Sequence, residues 1–130
     1  MGIFSRLFGL NKEQEEKKIL PWIPLQREEQ LDAIIEQSKD KLQIIFKHST
    51  RCGISKSVIN RFIDEYDLSK KNIDLYYLDL LNFRDISNKV GDIFNVIHQS
   101  PQILVIKDGI VLHHASHHEI HFERINKYVF

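Results

Sequence analysis

The chain has 130 residues, 42% of them apolar and 28% charged, with 18 lysines and arginines balancing 18 aspartates and glutamates. That length suits one domain able to bury a core without disulfides or metal, and zero net charge argues against a broad nucleic-acid-binding face. A single cysteine, Cys52, rules out an internal disulfide and fits a reducing compartment.

Residues 1–27 are expected to form an N-terminal arm ahead of a domain over residues 28–130. Met1–Leu10 is apolar but short, with Arg6 in its middle. It has neither the basic start nor the long apolar run and small-residue cleavage site of a secretory signal. It is too short to span a bilayer, and Arg6 stands where myristoylation requires Ser or Thr. The expectation is therefore cytoplasmic, with no membrane partner; the alternative is a membrane-surface or partner role for Ile3, Phe4, Leu7 and Phe8. Asn11–Lys18 is helix-prone, and Pro21 and Pro24 then interrupt any helix around Trp22. Trp22 and Ile23 are expected to pin the arm to the domain.

From Glu28 the pattern becomes regular. Leu31, Ile34 and Ile35 recur at helical spacing, predicting a short amphipathic helix that ends near Ser38. Leu42–Lys47 predicts a buried strand. Ile54, Val58, Ile59, Phe62, Ile63 and Tyr66 form a wide apolar stripe on a helix beginning near Gly53. Ile73–Leu78 predicts a second strand, which the intervening helix makes parallel to the first through a right-handed crossover. Ile86, Val90, Ile93, Phe94 and Ile97 mark a further helix. Ile103–Lys107 and Ile110–His114 predict a hairpin, because Asp108-Gly109 supplies the positive φ angles of a type I′ turn. Ser116-His-His-Glu119 has the form of a capping box, predicting a last helix with Phe122, Ile125 and Val129 facing inward. A βαβ unit followed by a helix and a ββα unit is the thioredoxin-fold arrangement. The expected class is thus α/β: a four-stranded mixed sheet flanked by helices, with an extra N-terminal helix.

The chemistry centres on Lys47-His-Ser-Thr-Arg-Cys-Gly-Ile-Ser55. Cys52 falls at a strand-to-helix junction, where backbone N–H groups and the helix dipole stabilise a thiolate. Ser55 lies one helical turn on and offers a hydroxyl where a dithiol motif has its resolving cysteine. Arg51, with His48 nearby, adds positive charge. Settings of this kind lower a cysteine from about 8.5 into a range of about 3.5–7.5. The competing view makes Cys52 a small buried hydrophobe, but Thr50-Arg-Cys-Gly53 is too polar for a core segment. Thr50, Arg51, Gly53 and Ser55 are the expected supports of the thiolate. Ser100-Pro101 precedes the third strand. Proline there is ordinary punctuation, or, in a thioredoxin-like topology, a cis-proline lining the substrate groove opposite the thiol.

Three segments in register carry a resemblance: Lys47-His-Ser-Thr-x-Cys-x-Ile-Ser55, His98-x-Ser-Pro-Gln102, and His114-Ala-Ser-His117 with Ile120. Over residues 28–125 the chain resembles the YtxJ-type monothiol bacilliredoxins, thioredoxin-fold proteins of bacteria that use bacillithiol. The family typically has Thr-Cys-Pro-Ile-Ser, whereas this chain has Thr50-Arg-Cys52-Gly-Ile-Ser55, an inserted Arg51 and Gly53 in place of proline. His113 stands where family members often carry Trp. The resemblance implies that Cys52 takes bacillithiol, or a related low-molecular-weight thiol, from client proteins that carry it as a mixed disulfide. It implies no bound cofactor beyond that co-substrate. Two alternatives belong to other classes: a non-catalytic adaptor binding extended peptide along the Pro101 groove, and a sensor whose Cys52 is oxidised or capped.

His113, His114, His117, His118 and His121 invite a metal reading, since His117 and His121 would share a helical face. Adjacent histidines diverge on a strand, however, and the resemblance accounts for His114 and His117. No metal site is expected.

Overall fold

The computed structural model describes residues 18–129. Its elements in chain order are β1 (Trp22–Pro24), α1 (Glu29–Gln37), β2 (Leu42–His48), α2 (Gly53–Glu65), β3 (Ile73–Asp79), α3 (Arg84–Phe94), β4 (Gln102–Lys107), β5 (Ile110–Ser116), a 3₁₀ turn (His117–Glu119) and α4 (Phe122–Asn126). The strands form one mixed sheet in the order β1-β3-β2-β4-β5. β1 and β2 both run parallel to β3, while β4 is antiparallel to β2 and β5.

The sheet has five strands where four were expected. Trp22–Pro24 of the arm is the fifth, paired with Leu75–Tyr77 along the outer side of β3. Pro24 has no N–H to give a ladder, so this stretch is tolerable only at an edge. Side-chain packing fixes it there: the Trp22 ring lies 5.9 Å from Phe46 and 5.6 Å from Tyr77, both edge-on. Residues 11–17 of the helix-prone run, and Ile3, Phe4, Leu7 and Phe8 with their alternative surface role, lie outside the described residues. Among the described residues no helix is long and apolar enough to cross a membrane.

Alternation along β2 supplies both cores, because successive side chains leave a strand on opposite faces. Leu42, Ile44 and Phe46 pack with Val58, Phe62 and Tyr66 of α2 and with Phe122 and Ile125 of α4. Ile45 packs with Leu31 and Ile34 of α1, Ile86, Val90 and Phe94 of α3, and Leu104 and Ile106 of β4. All seven residues of β2 are buried, which explains its near-continuous apolar run. Lys47 and His48 end that run as polar residues in fully covered positions.

The hairpin follows its turn residues, with φ of 53° at Asp108 and 77° at Gly109. α3 ends at Phe94, three residues short of the Ile97 that its apolar pattern includes. Asn95 caps it in the left-handed conformation, φ 54°, and Ile97 falls in the following loop with 85% of its surface exposed. The capping box at Ser116 does not form. Ser116 continues β5 opposite Gln102, and the N–H of His117 donates to the Pro101 carbonyl at 3.0 Å. With the chain held extended by those bonds, α-helix begins only at Phe122, after His121.

Candidate functional site

β2 ends at His48, Ser49–Arg51 turn, and Cys52 becomes the N-cap of α2 with extended backbone angles, φ −102° and ψ 120°. Its N–H reaches the Ser49 carbonyl at 3.2 Å and its own carbonyl receives the first helical bond, from Lys56 N–H, at 3.0 Å. The thiol is free and partly exposed. At a helix start the first N–H groups have no partner within the helix, and together with the dipole they favour an anion there. Thr50 and Arg51 lie exposed beside it. Gly53 is the first residue of the helix, and a Cβ built on it would meet nothing within 4 Å.

Ser55 is fully buried. Its Oγ lies 2.7 Å from His48 Nδ1 and 3.0 Å from the Ser49 N–H. The N–H donates, so the single hydroxyl proton goes to His48 Nδ1, the acceptor in reach; this tautomer follows from satisfying both bonds. Burial holds His48 below its ordinary value, with neighbouring Asp79 pulling the other way, consistent with a neutral acceptor. The hydroxyl expected to serve Cys52 is thus committed to tying the end of β2 to the first turn of α2. It acts on the loop that carries the thiol.

The peptide bond between Ser100 and Pro101 is cis. Pro101 leads into β4, whose Gln102 pairs with Lys47 of β2. β2 departs from this same end of the sheet into the Cys52 turn, so the thiol loop and the proline segment lie at one end of the sheet. The His117 bond described above satisfies the Pro101 carbonyl, while the buried Ser100 Oγ has no partner among the described residues.

Sequence reasoning did not single out the side chains on the other face. Lys47 is fully buried, and its Nζ donates to the Ser87 carbonyl at 3.2 Å and meets His98 Nδ1 at 3.3 Å. Burial lowers Lys47 to about 8. His98 is held below its ordinary value by burial and then by the charges of Lys47 and Arg84. The signal was available: a lysine directly after the apolar run Ile44-Ile-Phe46 of a buried strand has to find polar company.

The histidine cluster disperses. His113 packs 5.9 Å from the Tyr128 ring, and burial lowers it, with nearby Lys127 adding to the effect. His117 sits in the 3₁₀ turn at φ 54°, and His121 pairs with Glu65 at 3.2 Å. Because no helix starts at Ser116, His117 and His121 share no helical face, and no metal-ligating group of three or more side chains exists among the described residues.

A parallel βαβ unit delivering a lone thiol to a helix start, beside a cis-proline that opens an antiparallel strand, defines a thioredoxin-fold thiol–disulfide redox protein. Solved structures agree. One thioredoxin-fold protein, whose description proposes an oxidoreductase, superposes with a TM-score of 0.70 at 28% identity, covering 82% of this chain and 91% of its own. Thioredoxins of Malassezia sympodialis (TM-score 0.62, 16% identity, 87% and 94% covered) and Schistosoma mansoni (0.59, 21%, 82% and 93%) share the fold. The chain belongs to the monothiol bacilliredoxin family, whose model, described as monothiol bacilliredoxin BrxC, matches residues 23–125.

Proposed function

We propose that this protein removes a low-molecular-weight thiol, bacillithiol or a close analogue, from mixed disulfides on cytoplasmic client proteins. The observation that carries this reading is the solitary Cys52 at the start of α2, in a chain of the monothiol family. The Cys52 thiolate attacks the small thiol's sulfur in the client's mixed disulfide. The S–S bond to the client breaks, the client sulfur leaves as a thiolate and takes a proton, and Cys52 holds the small thiol as a new disulfide. A second low-molecular-weight thiol then attacks the small thiol's sulfur, restores Cys52 and leaves as the oxidised small disulfide, so that the second thiol is the reductant. One cysteine is enough for this cycle. Thr50, Arg51, Gly53 and Ser55 shape the thiol loop, and Ser100 and Pro101 line the groove for the client segment next to its modified cysteine.

The test is mass spectrometry of the full chain after incubation with a bacillithiolated and, separately, a glutathionylated protein. The expected result is one small-thiol adduct on Cys52, a reduced client, and turnover when free thiol is added. An adduct from only one donor identifies the small thiol. No adduct and no reduced client, with the client still bound, would leave the adaptor reading in its place; one stoichiometric transfer without turnover would favour a sensor.

A further inference from the structure

We propose that Lys47 and His98 are positioning residues that anchor the Ser100–Pro101 segment from the face of the sheet opposite Cys52, and so set its fit to the client chain. The proposal rests on the reading of Cys52 and Pro101 given above.

Lys47 is five residues before Cys52, yet its side chain leaves β2 on the α3 side, alternating with Phe46 and His48. No carboxylate pairs with it among the described residues. A buried ammonium without a counter-charge has to be held by dipoles, and here these are the Ser87 carbonyl and His98 Nδ1. The same His98 nitrogen lies 3.3 Å from Ser87 Oγ; because the Lys47 ammonium can only donate, Nδ1 accepts from it and the ring is neutral. Facing groups keep it so: Lys47 and Arg84 both oppose a charge on His98.

Gln102, directly opposite Lys47 in the register and equally buried, completes the arrangement. Its Nε2 donates to the Ile97 carbonyl at 2.9 Å, and its Oε1 accepts from Gln99 N–H at 3.4 Å. Two neighbouring strand residues thus grip residues 97–99 by backbone and ring, immediately before the cis bond. Outward from this grip stand exposed Ile97 and the groove; inward, beyond Ser87, lies the apolar core of Ile45, Ile86, Val90 and Leu104. Lysine in such a place does nothing for the packing that Met would not do. Its donors are spent on α3 and on the segment leading to Pro101.

Lys47→Met and His98→Ala in the full chain test this, by amide hydrogen exchange and by transfer kinetics at pH 7. In each, exchange at Gln99 and Ser100, corrected for intrinsic rates, is expected to accelerate about tenfold relative to β4, as loss of a charge-assisted bond implies. KM for a thiolated protein should rise several-fold, while kcat and the iodoacetamide rate at Cys52 stay near the wild-type values. Unchanged exchange across residues 97–100 overturns the anchor, as does an equal fall in kcat and iodoacetamide rate, which would place Lys47 in the thiol's own environment. His98 lies at the surface, so His98→Ala decides the matter if Lys47→Met does not fold. The exchange arm reads the anchor even if the wild type transfers no small thiol, which would overturn the proposed reaction alone.

Discussion

At the residue scale, the thiol loop depends on a hydroxyl that does not touch the reaction. Ser55 Oγ satisfies the Ser49 N–H and His48 Nδ1 in a buried position. Ser55→Ala leaves both without a partner, and an orphaned buried polar group costs about 1–3 kcal/mol. Urea unfolding should show that loss at pH 7, and turnover should fall because the Ser49–Cys52 turn is no longer tied to α2. Ser55→Thr keeps the hydroxyl and is expected to recover most of both. A Ser55→Ala chain with unchanged midpoint would contradict the bond network. The sequence placed Ser55 one turn from Cys52 and suggested a direct bond to sulfur. Spacing along a helix says which side chains share a face, but not which of several acceptors wins a single proton. His48 wins because β2 buries it beside the first turn of α2, a neighbourhood created by the sheet.

At the scale of elements, two glycines have opposite consequences. Gly53 opens α2, has no left-handed φ, and offers open space to a Cβ. Gly53→Ala should therefore stabilise by about 0.4–1 kcal/mol, chiefly by restricting the unfolded chain, and a Tm rise of a few degrees would report it. Gly109 sits at φ 77° in the β4–β5 turn, where an L side chain is strained by about 1–2 kcal/mol. Gly109→Ala should lower the unfolding midpoint accordingly. The same contrast explains what was legible beforehand. The Asp108-Gly109 hairpin is a local matter, decided by two residues, and sequence was enough. Trp22–Pro24 was legible only as an anchor of the arm, because its strand character comes from Tyr77, Phe46 and an open edge on β3. The Ser116 capping box had the right letters but lost to the bond between His117 and Pro101, a partner more than ten residues away in the chain. The cis-proline itself was expected from topology, and the lysine beneath it was not, since its meaning depends on α3 covering that face.

For the whole molecule, Lys47 separates stability from function. Its ordinary value of 10.5 falls to about 8 on folding because burial disfavours the ammonium. The sign follows from which state binds the proton more tightly. Below pH 8 both states are protonated and the folded state bears the full cost of the buried charge. Between 8 and 10.5 the unfolded chain holds the proton and the folded chain has lost it, so this residue's contribution to stability rises with pH. The swing is on the order of 3 kcal/mol. Tyr66, Tyr76 and Tyr77 are all pushed up and act oppositely above pH 10, so the comparison belongs between wild type and Lys47→Met below that pH. Replacing a buried ion by an apolar side chain of similar length is often stabilising by about 1–4 kcal/mol. Urea unfolding should find Lys47→Met more stable than wild type at pH 7, with the gap closing as pH approaches 10. A variant less stable at pH 7, by an amount that does not change with pH, would show that the lysine is held by its bonds more strongly than burial opposes it. The expected result sets a more stable chain beside a looser Pro101 segment. A charge that weakens the fold while steadying one loop belongs to the work of that loop.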